Sequence, residues 1–415
     1  MPSETPQTLK GFRDFLPVEK RKRDFVAQKM RRVFERHSFA PIETPTLEYA
    51  SLLLGKYGDE ADKLIYTFDD RGDRKVGLRY DQTVPTARVL AQYQNELPKF
   101  FRRYQMQNVF RADKPQKGRY REFAQCDCDI FGSTSALADA EILSVYYHVF
   151  AEIGLSSIII EVNDRQTLMN NLSLFATNEV NVFSIIQSLD KLDKLPPEKV
   201  VAELVLKGLA EDKAQAAVKA LETAQMSENL SQVMDAAMAL GVPSSALKFN
   251  PRIARGLDYY TGVIFEGRVP EYTVGSVGGG GRYDKLLESL TGVEVPAVGF
   301  GIGFDRTVEA AEQLGLIPEH LNQTQVLVTV FDQTHQSAAL QLASELRKVG
   351  ISTEVYPELD KLGKQFKLAD QKHIPFVTII GEQEAAEHKI TLKNMANGEQ
   401  QLLSFEDVVK KIQEA

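Results

Sequence analysis

Between Phe100 and Phe131 the chain reads as two long strands joined by a turn. The first ends near Phe110. The connector, Ala112 to Gly118, holds Pro115 and Gly118, residues that favour turns. The second strand runs from about Tyr120 to Phe131. Successive strand residues face opposite ways. Arg121, Phe123, Gln125, Asp127 and Asp129 therefore share one side, and Ala124, Cys126, Cys128 and Ile130 the other. The second set is small and apolar, as a core face requires. The first would bury charge at high cost unless it lined a polar cleft. A sheet packed on one face and open to a polar cavity on the other satisfies both. Arg at one end, with Gln and Asp at the other, suits an anion and a cationic small molecule held together. From Lys99 to Arg121 there are eight Lys or Arg and one Asp, which by itself also fits a solvated basic hairpin.

The rest of the chain supplies partners for such a sheet. Residues 20–37 form an amphipathic pattern through Val26, Met30, Val33 and His37. Residues 76–94 pass from a short strand into a helix, 138–153 read as helix, and Ile158 to Val162 as a buried strand. Residues 165–247 are rich in Ala, Leu, Lys and Glu and read as helices. Pro196-Pro197-Glu198 is a helix start, and Ala214, Ala217, Val218 and Leu221 form an apolar stripe. Strands and glycines return after Pro251. Residues 315–324 read as a linker. Beyond it, strands at 326–330, 353–356, 376–380 and 390–393 alternate with helices at 337–349 and 361–373, the pattern of a small α/β domain.

At 415 residues the chain exceeds one ordinary domain, with a prior of two to three. No apolar run reaches the roughly 18–20 residues of a membrane helix. The polar start, Met1 to Lys10, has no apolar signal core. Cys126 and Cys128, one residue apart, fit two buried thiols in a reducing cytoplasm. A net charge of −8 argues against a non-specific basic coat for nucleic acid. There is no P-loop signature, no complete Gly-x-Gly-x-x-Gly and no His-Glu-x-x-His, and the six histidines are scattered.

Four shorter segments carry chemistry or plain structure. Arg79-Tyr-Asp-Gln-Thr83 puts a carboxylate and a hydroxyl before a helix, which alone is an N-cap. Arg255 to Gly262 sets a cation beside two tyrosines, or packs a tight turn. Gly278 to Gly281, just before Arg282-Tyr283-Asp284, gives up side-chain packing and invites a ligand onto the backbone, or is a flexible loop. Gly299 to Arg306 ends small residues on a cation at a helix start, where a flat ligand can lie.

Together these segments resemble the histidyl-tRNA synthetase family of class II aminoacyl-tRNA synthetases, in order along nearly the whole chain. Gly11 to Pro17 is similar to the family's opening, and Pro45, in Ile42-Glu-Thr-Pro45, to the dimer-interface motif of the class. Arg111 to Gly132 and Gly299 to Arg306 resemble the second and third class motifs. Arg255-Gly-Leu-Asp-Tyr-Tyr260 and Gly279-Gly-Gly-Arg-Tyr-Asp284 resemble signatures specific to the histidine family. Gly363 to Asp370 resembles its anticodon-binding domain. Ser38 stands where a glycine is expected, and Ala124 where a Tyr or His is common. By the pleat, Ala124 should point away from the cleft. Regulatory relatives of the same fold resemble the catalytic part without the tail, which this chain has.

The resemblance implies an α/β fold: an α+β catalytic domain (1–164 and 251–320) with a mainly antiparallel sheet flanked by helices, a helical insertion (165–250), and an anticodon-binding α/β domain (325–415). It implies a cytoplasmic homodimeric ligase that uses ATP and Mg²⁺ to join L-histidine to tRNA(His), with no membrane. Asp81, Thr83, Gln125, Asp129, Tyr259, Tyr260 and Tyr283 would hold histidine. Arg111 and Arg255 would be catalytic, facing the α-phosphate and the substrate carboxylate. Arg121 and Arg306 would hold the ATP phosphates. No metal ligand is implied by name.

Overall fold

Pro17 starts the first helix, Pro17–Arg36, which buries Val26, Met30, Val33 and Phe34. Its end explains Ser38. The backbone N–H of Ser38 donates to Glu35 and that of Phe39 to Phe34. This closure requires a left-handed residue, and Ser38 has φ 59°. Glycine adopts that conformation without the steric cost a serine carries.

The structure, a computed structural model, describes residues 6–55, 62–116, 118–193, 195–253, 260–292, 294–319, 321 and 324–414. The chain divides into two compact units, Met1–Ile317 and Pro318–Ala415. In chain order the first unit's strands are β1 (Ala40–Pro41), β2 (Leu47–Tyr49), β3 (Thr67–Asp69), β4 (Lys75–Leu78), β5 (Phe101–Phe110) and β6 (Glu122–Phe131). Then follow β7 (Ile159–Asp164), β8 (Leu247–Phe249), β9 (Val263–Arg268), β10 (Gly278–Arg282) and β11 (Ala297–Gly303). Among the described residues they make an eight-stranded sheet, β1-β5-β6-β11-β10-β9-β7-β8, and a three-stranded one, β2-β4-β3. The large sheet is antiparallel except for β1 against β5 and β7 against β8.

One face of the large sheet is core. Tyr104, Cys128, Phe300, Gly280 and Phe265 form a row across β5, β6, β11, β10 and β9. Phe34 of the first helix stacks on Tyr104 at 5.0 Å. Tyr146, from the helix Ala136–Ile153, meets Phe265 and Phe300 edge-on at 5.3 and 5.0 Å. Such pairs add to plain burial. Gly267 leaves the room Tyr146 needs, since a Cβ there would overlap its hydroxyl. Cys126 and Cys128 are free and buried on this face, and burial pushes both thiols well up, which makes them inert.

Residues 165–246 fold mostly as helices, including Pro197–Leu206, Glu211–Glu222 and Glu228–Ala239. The stripe of Ala214, Ala217, Val218 and Leu221 is buried. It joins one apolar cluster with Tyr260, Ile264, Tyr283 and Leu287. The insertion thus packs beneath two tyrosines of the sheet's other face.

The second unit has strands β12 (Val326–Val328), β13 (Thr353–Val355), β14 (Phe376–Ile379), β15 (Ile390–Asn394) and β16 (Gln400–Leu403), in the order β13-β12-β14-β15-β16. The first three are parallel and the last two antiparallel. Gln365 is fully buried. It accepts from the Val330 N–H at 3.0 Å and donates to the Val330 carbonyl at 2.9 Å, which ties helix Leu362–Gln371 to the chain beyond β12.

Candidate active site

The other face of the large sheet carries a cleft of about 530 Å³. Strand register sets its side chains in rows. One row runs Arg103, Asp129, Gly299, Gly281. The next runs Gln105, Asp127, Gly301, Gly279 and Glu266. A third pairs Gln107, Gln125 and Gly303. Long polar side chains stand on β5 and β6, and glycines lie beside them on β10 and β11: a polar wall over a bare floor. Gly299 and Gly301 lie directly against the wall. A Cβ at Gly299 would overlap the Asp129 carboxylate, and one at Gly301 would sit 3.0 Å from Gln125 Nε2 and 3.1 Å from Asp127 Oδ1.

The wall is braced from behind. The amide of fully buried Gln82 donates to the carbonyls of Gln107 and Gln125 at 2.9 and 2.8 Å. Gln105 donates to the Thr44 hydroxyl at 2.8 Å. Arg103, with no exposed surface, sets a terminal nitrogen 2.6 Å from Asp129 Oδ2. The Tyr283 hydroxyl donates to Asp129 Oδ1. Burial pushes Asp129 up from the usual carboxylate range, while Arg103 and the Tyr283 bond hold it back. Burial drives Asp127 well up, and Arg103 offsets this in part. Burial opposes the charge of Arg103, but Asp129 and Asp127 hold it above its ordinary value. Gln125 Oε1 and Asp127 Oδ1 are buried with no hydrogen-bond partner among the described residues. Buried polar atoms are nearly always paired, and both residues border the cleft, so these two atoms are open to a partner from it.

Most residues of the sequence reading meet here. Asp81 and Thr83 border the cleft. Asp81 also accepts the Val84 N–H at 3.1 Å, which ties it to the first turn of the helix Thr83–Gln92 from one residue before the cap. Arg111 donates to the Tyr80 carbonyl at 3.2 Å and lies 4.4 Å from the centre of the Tyr80 ring. Arg306 donates to the Ser276 carbonyl at 2.8 Å. Arg111, Gln125, Tyr260, Tyr283 and Arg306 all border the cavity. Arg255 and Tyr259 lie outside the described residues.

Arg121 is elsewhere. Its side chain donates to the carbonyls of Asp113 and Lys10, at 3.1 and 3.3 Å. Gly11, at φ 91°, packs on its stem. It is absorbed in fastening the N-terminal segment, and Arg119 of the same connector borders the cleft instead. The strand pleat assumed for Arg121 does not extend that far, because β6 begins at Glu122. Ala124 borders both the cleft and a small recess beside Arg13 and Phe15, so it reaches the rim despite the pleat. Arg103, Gln82 and Glu266 escaped the sequence reading. Part of the signal for Arg103 was present: of the two adjacent arginines inside the first strand, Arg102 and Arg103, the pleat puts Arg103 on the side of Gln105 and Gln107, but its pairing with Asp129 follows only once the register is known.

The Gly279–Asp284 segment splits its work. Arg282 donates to Asp139 Oδ1 at 3.0 Å and to the Ser133 carbonyl at 2.7 Å, and Asp284 accepts the Ala297 N–H at 3.1 Å. These two hold strand and helix ends in place. Between them Tyr283 reaches the wall. Glycine floor, tyrosine and carboxylate are thus one local device, and residues 11–307 match the profile of the family described as histidyl-tRNA synthetase. The chain belongs to the histidyl-tRNA synthetase family. Residues 325–415 match a second profile, described as an anticodon binding domain. A histidine–tRNA ligase of Rhodopirellula baltica is 40% identical, with 96% of each chain covered. One of Cytophaga hutchinsonii is 36% identical over 99% of this chain and 100% of the relative. The crystal structure of histidyl-tRNA synthetase from Nostoc sp. PCC 7120 superposes with a TM-score of 0.86 at 30% identity, over 98% of this chain and 99% of that one. As a member of this family the chain is an ATP-dependent histidine–tRNA ligase with the class II fold.

Proposed function

We propose that histidine activation runs in the cleft above the glycine floor, with the polar wall reading the amino acid and the arginines reading ATP. The substrate carboxylate attacks the α-phosphorus, and the bond to the leaving pyrophosphate breaks. A hydroxyl of the terminal ribose of tRNA(His) then attacks the acyl carbon, and AMP leaves. The nucleophiles belong to the substrates, so catalysis is positioning and charge stabilisation. Arg111 suits the α-phosphate and the carboxylate, because a guanidinium donates in a fixed fork and its stem is held against Tyr80. Arg255 takes the other side of that phosphate on the strength of the family motif. Arg306 and Arg119 border the space for the outer phosphates. Asp81, Thr83, Gln125, Tyr259 and Tyr260 hold the amino acid, and Asp129 with Tyr283 the ring. A neutral imidazole offers one donor and one acceptor: the ionised Asp129 accepts the ring N–H while the Tyr283 hydroxyl, donating to Asp129, holds that carboxylate in place, and the ring's acceptor nitrogen takes its hydrogen bond from another group of the cleft.

Mg²⁺ fits in a limited way. Asp113 and Glu266 border the cleft, but no cluster of three or more metal-binding side chains exists among the described residues. The ion would be held mainly by the nucleotide phosphates, whose charge it would offset. The enzyme acts as a homodimer in the cytoplasm. Supporting this, Leu47, Tyr49 and Phe68 of the three-stranded sheet are exposed, both cysteines are free thiols, and no described helix is long and apolar enough to cross a membrane. Light scattering checks the dimer.

The pairing of Tyr283 with Asp129 over Gly299 carries this reading. ATP–pyrophosphate exchange with each of the twenty amino acids tests it. Histidine alone should support exchange, and Arg111→Ala should lose roughly 10²-fold or more in kcat. Exchange with another amino acid, or an unimpaired Arg111→Ala enzyme, refutes the assignment.

A further inference from the structure

The Asp129 carboxylate has two ends. Oδ1 lies over the bare Cα of Gly299, facing the floor of the cleft, and takes the Tyr283 hydroxyl. Oδ2 is turned back to Arg103, 2.6 Å away on the neighbouring strand. Arg103 has no exposed surface and does not border the cleft. It is register-paired with Asp129 across β5 and β6, and its other terminal nitrogen is 3.4 Å from Gln105 Oε1. Gln105 is itself tied to Thr44 and Thr86. A guanidinium in this place is costly to bury, and apolar residues fill such positions more cheaply.

We propose that Arg103 is the positioning residue for the substrate ring: from behind the wall it keeps Asp129 ionised and oriented, so that the carboxylate accepts the imidazole N–H. This rests on the cleft being the histidine site. A protonated Asp129 would present a hydroxyl donor that competes with the ring, so its charge state decides recognition. The groups facing Asp129 from each side are Arg103 on β5, Asp127 on its own strand, Tyr283 after β10 and Asp81 before the helix Thr83–Gln92. β11 contributes only Gly299 at that row. Burial and the Asp81 carboxylate raise the proton affinity of Asp129, and Arg103 is the cation that lowers it, with the Tyr283 hydroxyl adding to the same effect. Removing Arg103 therefore moves ionisation of Asp129 to higher pH.

Histidine-dependent exchange kinetics on Arg103→Met, Arg103→Lys, Asp129→Asn and the double variant Arg103→Met/Asp129→Asn test this. Arg103→Met should raise the histidine KM roughly 10- to 100-fold, the size of one lost charge-assisted bond, with the ATP KM unmoved. The acid limb of kcat/KM for histidine should shift to higher pH. The substrate's own imidazole titrates equally in both enzymes, so the difference belongs to the protein. Arg103→Lys should recover part of the loss. The double variant should be no worse than Asp129→Asn alone, because Arg103 acts only through Asp129. Equal rises in both KM values, an unmoved acid limb or additive losses would overturn the proposal. If Arg103→Met does not fold, Arg103→Lys decides: a histidine KM and acid limb identical to wild type also overturn it. A wild-type enzyme whose exchange does not depend on histidine removes the underlying site reading, and the proposal with it.

Discussion

Asp127 shows how a side chain can be costly where it stands. It is buried, Oδ1 has no hydrogen-bond partner among the described residues, and it shares Arg103 with Asp129. Burial raises its proton affinity well above that of the unfolded chain. Between the unfolded value, about 3.9, and the higher folded value, the folded state binds more protons. Stability at this group is therefore intact near pH 4 and is lost as pH rises toward the folded pKa. Asp127→Asn removes that loss. Its Tm should match wild type near pH 4 and exceed it near pH 7.5, by about 2–4 °C for each kcal/mol relieved. Calorimetry at the two pH values checks this, and a Tm difference independent of pH contradicts it. Such a gain at a cost to activity is the usual trade at binding sites.

At the scale of elements, the hairpin was legible because a two-residue period with one apolar side leaves one solution. Phe101–Phe110 and Glu122–Phe131 lie where the pattern puts them. The helix at the start and the stripe at 214–221 were legible for the same reason, through the 3.6 period. What was not legible is cross-strand. Nothing along the chain says that Arg103 faces Asp129 or that Gly299 lies beneath it, because register is fixed by distant partners. The strand Gln400–Leu403 and helix Phe405–Gln413 went unread, since the strand is polar and at a sheet edge. Arg121 was misplaced because a strand period was carried past the strand's first residue. The register makes a prediction of its own. Gly299→Ala puts a methyl into the Asp129 carboxylate, which Arg103 and Tyr283 hold from two sides, so it cannot yield cheaply. We expect a loss of about 1–3 kcal/mol in stability and a raised histidine KM with little change for ATP. Chemical denaturation and exchange kinetics measure both. A stable Gly299→Ala enzyme with normal histidine KM would show that the carboxylate has room to move.

For the whole molecule the question is which unit meets which part of the substrate. The cleft, its wall and every described residue assigned to histidine or ATP lie before Ile317. The unit from Pro318 onward has its own buried cluster, including Val326, Leu342, Phe376 and Ile412, and matches the anticodon binding profile. Activation needs no RNA; transfer does. A chain ending at Ile317 should therefore fold, as its own core permits, and keep histidine-dependent ATP–pyrophosphate exchange. Its charging of tRNA(His) should fall, because a long RNA held at two places binds roughly 10²–10⁴ more tightly than at one. The loss should appear as a higher tRNA KM, with the histidine KM unchanged. Circular dichroism establishes folding first. A folded fragment that has lost exchange would mean that the tail completes the activation site, and one that charges tRNA at the full rate would mean that the tail does not hold the RNA.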